Sequence, residues 1–309
     1  MSEDVKLVQT KGNFIIKGII EGKDTPAINN GYKDGVIEKG KSAGSKYRSI
    51  RFKVRTSKDN IIPIEIFGME RQYAYFYNKE EKKTAKVEWS KRFAQPKDGY
   101  KLIVPEYDLV QNIEEKFKDG DTVRVIGEFQ PQQYEQNGIQ KQTVKYIIKQ
   151  IFKSKDEIDI NANDFVEVNS FEQEAVINDI EVDNDNNKIF INTYIIGYGE
   201  NYNPLTFELD TTTAHPLFIK TVKTFKFGDF IKLLGTIHYR AIKEMVDGEF
   251  GKQEIVDIKK SLEVVGVDGA TFEKGMYSED DFAKEEIGIN LEEKINEVAS
   301  NSSLPFNLD

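Results

Sequence analysis

From residue 14 onward, apolar and polar positions alternate in short runs, the two-residue period of a strand with one face in a core and one in solvent. In the first half of the chain the alternation predicts strands at 14–21, 48–56, 61–67 and 139–152, and in the second half at 174–182, 188–197, 204–210 and 253–265. Before the C-terminal tail, two stretches change to helical spacing, 109–117 and 218–225. Each runs into a block of thirteen residues that occurs twice, Phe117 to Phe129 and Phe225 to Ile237. Both blocks read F-K-x-G-D-x-(V/I)-(K/R)-(V/L)-(I/L)-G-x-(F/I), at an offset of 108 residues. The chain therefore carries two copies of one domain.

Gly-Asp stops each helix, and an apolar strand follows with a glycine in its interior, Gly127 or Gly235. A glycine inside a strand marks a bulge or the bend at a barrel corner. Three strands, a helix and two strands is the order of the OB-fold, a five-stranded Greek-key barrel. The predicted fold class is all-β: two tandem OB-fold barrels, each β-β-β-α-β-β, with a β-hairpin inserted in the first and an acidic C-terminal tail. The expected divisions are 1–155 for the first barrel with its insertion at 69–105, 166–265 for the second, and 266–309 for the tail.

Charge separates the copies more sharply than pattern does. Residues 1–155 hold 30 Lys and Arg against 21 Asp and Glu, residues 156–265 hold 10 against 21, and residues 266–309 hold 3 against 11. A net charge of −10 thus hides a basic first barrel followed by an acidic barrel and tail. Field and partner choice depend on that distribution.

On the predicted strand 48–56, Ile50, Phe52 and Val54 face one way. Arg51, Lys53 and Arg55 face the other, extended by Ser49 and Tyr47, and Arg48 adds a further cation at the strand's start. The insertion interleaves aromatics with cations: Arg71, Tyr73, Tyr75, Tyr77, Lys82, Lys83, Lys86, Trp89, Lys91 and Arg92. Tyr73, Tyr75 and Tyr77 alternate as on one face of a strand, 79–83 reads as a charged turn and 85–89 as the return strand. Single-stranded nucleic acid needs this combination, because bases stack on rings for about 1–3 kcal/mol each and cations neutralise the backbone. The competing reading of any one of these rings is packing against its own barrel.

Other chemical signals are outweighed by their context. Residues 35–42 match G-x-x-x-x-G-K-S, but polar residues precede them and a predicted strand follows, whereas a phosphate-binding loop joins a buried strand to a helix. Asp183 to Lys188 begins like a calcium loop, yet Lys188 and Tyr194 stand where Gly and Glu are required, so an Asx-rich turn is expected. His215 and His238 lie in different elements with no second ligand nearby. There are no cysteines, which removes disulfides, thiolate nucleophiles and cysteine-held metals. No nucleophile and base pair can be assembled, so neither an enzyme, a metal nor a cofactor is expected. No apolar run approaches the roughly 18 residues of a membrane span, and residues 1–13 lack a signal sequence, which points to the cytoplasm.

After 265 the composition turns acidic, with a polar linker at 268–281, an amphipathic helix predicted over 282–298, and a terminal Leu304-Pro305-Phe306. That triplet reads as a short linear motif. Tandem OB barrels, a basic aromatic first barrel and an acidic tail carrying Leu304-Pro305-Phe306 together resemble the single-stranded DNA-binding proteins, and are most similar to bacteriophage-encoded ones. The resemblance implies sequence-tolerant binding of single-stranded DNA in replication, recombination and repair, in the host cytoplasm. It also implies a tail whose Pro-Phe tip docks replication or recombination partners and competes with DNA for the basic groove. Here Asn307, Leu308 and Asp309 follow the phenylalanine, and Ser and Asn precede the triplet in place of a run of Asp. The same aromatics would serve an RNA-binding OB protein, and the acidic surface would serve an adaptor or inhibitor of a host factor. Self-association is compatible with all three.

Overall fold

The structure is a computed structural model that describes residues 6–25, 31–136, 138–248 and 251–283. Along the chain run β1 (Gly12–Glu21), β2 (Gly31–Val36), β3 (Lys46–Arg55), β4 (Ile61–Met69), β5 (Tyr73–Asn78), β6 (Lys83–Glu88), β7 (Tyr100–Ile103) and α1 (Glu106–Lys116). There follow β8 (Thr122–Gln136), β9 (Ile139–Lys153), β10 (Asn169–Asp183), β11 (Lys188–Ile196), β12 (Tyr202–Asp210), α2 (Pro216–Val222), β13 (Phe230–Gly248), β14 (Gly251–Glu273) and α3 (Glu279–Ala283). The protein is all-β, as its alternation predicts.

The chain divides into two compact units. Among the described residues, one comprises 6–20, Lys53–Ile64 and the described part of 121–283, and the other the described part of Glu21–Phe52 together with Glu65–Gly120. Strands β3 and β4 run through both.

In the larger unit, β10 to β14 follow the hydrogen-bonded order β11-β12-β14-β13-β10, closed into a ring by a β11–β10 pairing. The sheet order continues β1-β8-β9-β4-β3-β2 with an added β1–β3 pairing, so the strands of the first copy repeat that circular order. Inward residues of the alternating strands fill the interiors, among them Phe14, Ile16, Ile62 and Ile148 from the first copy and Ile177, Ile191 and Phe207 from the second. Each such side chain contributes about 1.5–3 kcal/mol by leaving water.

The twin glycines are bulges, as the sequence predicts. The β8–β9 register shifts between Ile126 and Gly127, and the β13–β14 register between Leu234 and Gly235. Phe14 lies opposite Gly127 in β1–β8, and Phe171 opposite Gly235 in β10–β13. A Cβ on Gly127 would come 2.2 Å from Phe14 Cζ, and one on Gly235 would come 2.1 Å from the Glu263 carbonyl oxygen and 2.5 Å from Phe171 Cζ. Each ring lies on the space a side chain would take.

Within the same unit β1 pairs antiparallel with β10, from Gly12 opposite Gln173 to Ile16 opposite Asn169. A buried polar cluster accompanies this junction. Asn60 Nδ2 donates to the Ile237 carbonyl at 2.8 Å, Asn60 Oδ1 accepts from Tyr239 N at 2.8 Å, and Asn169 Nδ2 donates to the same Ile237 carbonyl at 2.5 Å. Glu167 receives Asn60 Nδ2 at 2.9 Å and the Thr56 hydroxyl.

Strand β14 continues to Glu273, eight residues beyond the strand predicted to end at 265. Its last part pairs with β13, Lys232 opposite Asp268 and Phe230 opposite Glu273. The helix predicted over 282–298 touches the described residues only where α3 ends.

Candidate nucleic-acid interface

In the smaller unit, β5 lies between β6 and β7 in a three-stranded sheet. Its alternation is complete: Ala74, Phe76 and Asn78 are buried, whereas Tyr75 is 45% and Tyr77 39% exposed and Tyr73 is half-buried. The turn into β6 is set by Asn78, whose Oδ1 accepts the backbone N–H of both Glu80 and Glu81 at 3.0 Å. Lys82 completes it with φ of 52°.

Register places cations beside the rings. Tyr75 has Lys86 on one side and Ile103 on the other, and Tyr77 has Thr84 and Lys101. Directly paired residues share a face, about 4.5–5.5 Å apart at Cβ. Lys86 also reaches diagonally, its Nζ 3.5 Å from the centroid of the Tyr73 ring. A row of three tyrosines is thus interspersed with Lys86 and Lys101 on an open sheet face. Lys83 lies at the hairpin end, 3.4 Å from Glu81, and Lys91 ties Glu88 at 2.8 Å. The Lys91 hydrogen bond holds the Glu88 carboxyl below its usual range. Arg71 is exposed in the β4–β5 connection.

A second aromatic surface lies on β3 and β4. Tyr47 and Phe67 stack, with centroids 5.6 Å apart and planes at 21°, and Phe67 is 40% exposed. Ile50, Phe52 and Val54 are buried, so Tyr47, Ser49, Arg51, Lys53 and Arg55 share the outer side of β3. Arg51 Nε stands 3.9 Å from Glu65, and Arg55 Nη1 donates to the Lys58 carbonyl at 2.9 Å. Strand parity identifies Phe67 from sequence as well: with Ile62, Ile64 and Ile66 inside, it must face out.

Three residues of the expected set turn toward α1 instead. Arg92 makes a fork with Asp108, Nε at 2.8 Å and Nη2 at 3.1 Å, and lies 4.2 Å over the Trp89 ring. Trp89 meets Tyr107 edge to face at 5.9 Å, and Arg48 lies 4.0 Å over the other aromatic of that contact, Tyr107. This cluster fastens the turn Trp89–Lys91 to the helix.

The remaining motifs take the places their context predicts. Residues 35–42 run from the end of β2 into the loop before β3, where Gly40 and Gly44 have φ of 84° and 87°. Asp183 receives Asn186 N at 3.0 Å in the β10–β11 turn. His215 caps α2, accepting Leu217 N at 3.2 Å, and His238 Nε2 lies 2.9 Å from Glu263. Leu304, Pro305 and Phe306 lie outside the described residues.

A family model, YorF, matches residues 29–301. The chain belongs to the YorF family. The match takes in the tyrosine row, the repeated block twice and α3, and it ends before Leu304. No curated protein matches. Two similar solved structures are the wild-type single-stranded DNA binding protein from Thermus aquaticus and a deletion mutant of that protein. Each has 9% identity and a TM-score of 0.41, covering 84% of this YorF-family chain and 93% and 94% of its own.

Proposed function

We propose that this YorF-family protein binds single-stranded DNA with little sequence preference, through the smaller unit's tyrosine face and the outer side of β3. The observation that supports this most is the row Tyr73, Tyr75 and Tyr77, left open on β5 while its alternate residues are buried, with Lys86 and Lys101 as cross-strand neighbours. Core packing gives no reason to keep such rings in water beside ammonium groups; stacked bases and a phosphate backbone do. Tyr47, Phe67, Arg51, Lys53 and Arg55 extend the same chemistry along β3 and β4, and Arg71, Lys82, Lys83 and Lys91 add positive charge around the hairpin. The guanidinium of Arg92, forked to Asp108, positions Trp89 and the turn; Arg48 supports Tyr107.

The two strand rings are read as tandem OB barrels, 1–155 and 166–265, the last strand of the second running on to Glu273, with the acidic extension behind it. The protein acts without catalysis in DNA replication or recombination in the cytoplasm of a host, as a phage-encoded factor. Its terminal Leu304-Pro305-Phe306 serves as a contact for replication or recombination proteins. Fluorescence titration with oligo-dT, oligo-rU of equal length and duplex tests the reading. Tighter binding of oligo-dT than of both others is expected. Equal binding of duplex and single strand defeats the proposal, and preference for rU transfers it to RNA.

A further inference from the structure

The larger unit holds an aromatic ring inside a cage of other rings. Phe282 of α3 is 6% exposed and stacks on Tyr194 of β11 at 4.8 Å and 27°. It meets Tyr202 at 4.9 Å and 87°, Tyr277 at 5.8 Å and 74°, and Phe227 at 5.9 Å and 88°. Leu7, Val176 and Ile196 close the floor. One directional bond fixes the guest: the Tyr202 hydroxyl donates to the Phe282 carbonyl at 2.6 Å.

The guest is built as a peptide anchored by one side chain. Helix α3 has five residues, Glu279–Ala283, with an acidic first turn and one cap, Asp281 Oδ2 accepting Ser278 N at 2.8 Å. A helix this short is unstable in water by itself, so the cage is what holds it. Glu279 and Asp280 remain exposed and Asp281 is half-buried, while Phe282 is buried. The same arrangement, one aromatic anchor in an apolar pocket with a polar rim, concentrates binding energy in intermolecular interfaces.

We infer that this cage is a docking site for a phenylalanine on an acidic segment, and that it accepts the 279–283 segment of a second copy as well as its own. Exchange between copies makes the same contacts in trans as in cis, which is why element swapping is a low-cost route to association. The tether gives the chain's own segment an effective concentration on the order of mM, so exchange becomes competitive only where copies are crowded. Crowding along one bound strand would supply that condition; this consequence rests on the proposed function, whereas the docking itself does not.

The test uses the full-length chain without nucleic acid, so its outcome is independent of DNA binding. A capped fluorescent peptide of the sequence 278–283 is titrated into wild type and into Phe282→Ala. The vacated cage is expected to bind the peptide at least about tenfold tighter than wild type, in which the mM tether competes. A peptide carrying Ala in place of its phenylalanine is expected not to bind. Equal binding by the two proteins, or no saturable binding by a Phe282→Ala chain that retains a cooperative unfolding transition, overturns the inference. Should Phe282→Ala fail to fold, Asp281→Ala leaves every ring of the cage in place and removes only the cap on Ser278 that shapes the chain's own segment, which the added peptide keeps. It is then expected to bind the peptide more tightly than wild type and to exchange the amide protons of 279–283 faster, and no change in either overturns the proposal.

Discussion

Replacing Tyr75 or Tyr77 by Ala separates stacking from folding, because both lie on the exposed face of β5, outside the core. Truncating one of them removes cross-strand contacts to Lys86 and Ile103, or to Thr84 and Lys101, which are worth roughly 0.2–1 kcal/mol. The fold should therefore survive with a small shift in its unfolding midpoint. Loss of one stacked base removes about 1–3 kcal/mol of binding. Since about 1.4 kcal/mol is tenfold in Kd, each single variant should weaken oligo-dT binding by about 5- to 150-fold. Neither substitution changes charge, so the dependence of log K on log salt should keep its slope. Lys86→Gln should do the reverse, with a modest loss at low salt and a slope smaller by about 0.7, the single-strand value per neutralised phosphate. Anisotropy of labelled oligo-dT at four salt concentrations measures both quantities. Tyr75→Ala and Tyr77→Ala binding within twofold of wild type at every salt would refute the stacking surface, and an unchanged slope for Lys86→Gln would remove its phosphate contact.

Gly235→Ala places a Cβ 2.1 Å from the Glu263 carbonyl and 2.5 Å from Phe171; overpacking of this kind costs about 1–3 kcal/mol, read as a lowered urea midpoint, and an unchanged midpoint would contradict the bulge geometry. Burial, with Arg240 second, holds the His238 imidazole below its ordinary 6.5 against the opposing pull of Glu263 and Glu167. The unfolded chain therefore takes up that proton first, so stability falls as pH drops from about 6.5 through the folded value; His238→Gln should show a shallower loss between pH 7.5 and 5.5, and parallel curves would refute this. Removal of 284–309, which carries two Lys against six Asp and Glu, should raise DNA affinity at low salt by a factor that shrinks as salt rises, checked by titrating both proteins at each salt. An affinity unchanged at every salt would show that the tail does not restrain binding.

The sequence made local parity and local strain legible. Alternation assigned Ile50, Phe52 and Val54 to the core and their neighbours to the surface, because a strand has no other way to place successive side chains. Gly127 and Gly235 announced their bulges because only a missing Cβ tolerates Phe14 or Phe171 at that range. What stayed hidden depends on partners far along the chain. Trp89 and Arg92 look in sequence like surface stacking and phosphate contacts; the fork from Arg92 to Asp108 is sixteen positions away. Residues 266–273, with glycines at 266 and 269, read as linker, and pairing to β13 makes them strand. β7 is four residues long, too short for a period to declare itself. Phe282 gave only the weak signal of one apolar residue in an acidic stretch, since the rings of its cage come from 194, 202, 227 and 277.

The two copies of the repeated block have reached different ends. The smaller unit keeps its tyrosines open beside lysines, while in the larger unit the rings of β11 and β12 are occupied by the chain's own Phe282. The charge asymmetry between 1–155 and 156–265 points the same way. Cutting the chain between the copies is nevertheless a poor way to apportion binding. Such a cut unpairs β1 from β10 and strips Asn60, which is fully buried, of its bonds to Ile237 and Tyr239. Each polar group left buried without a partner costs about 1–3 kcal/mol, so a weak isolated fragment would report damage to the fold as readily as absence of a site. Division of labour is therefore read in the full chain, where Tyr75→Ala changes binding with little effect on stability, and Asn60→Ala changes stability while leaving the stacking surface in place. Equal losses of oligo-dT affinity in these two variants, measured well below their unfolding midpoints, would mean that binding depends on the junction between the copies as much as on the tyrosine row.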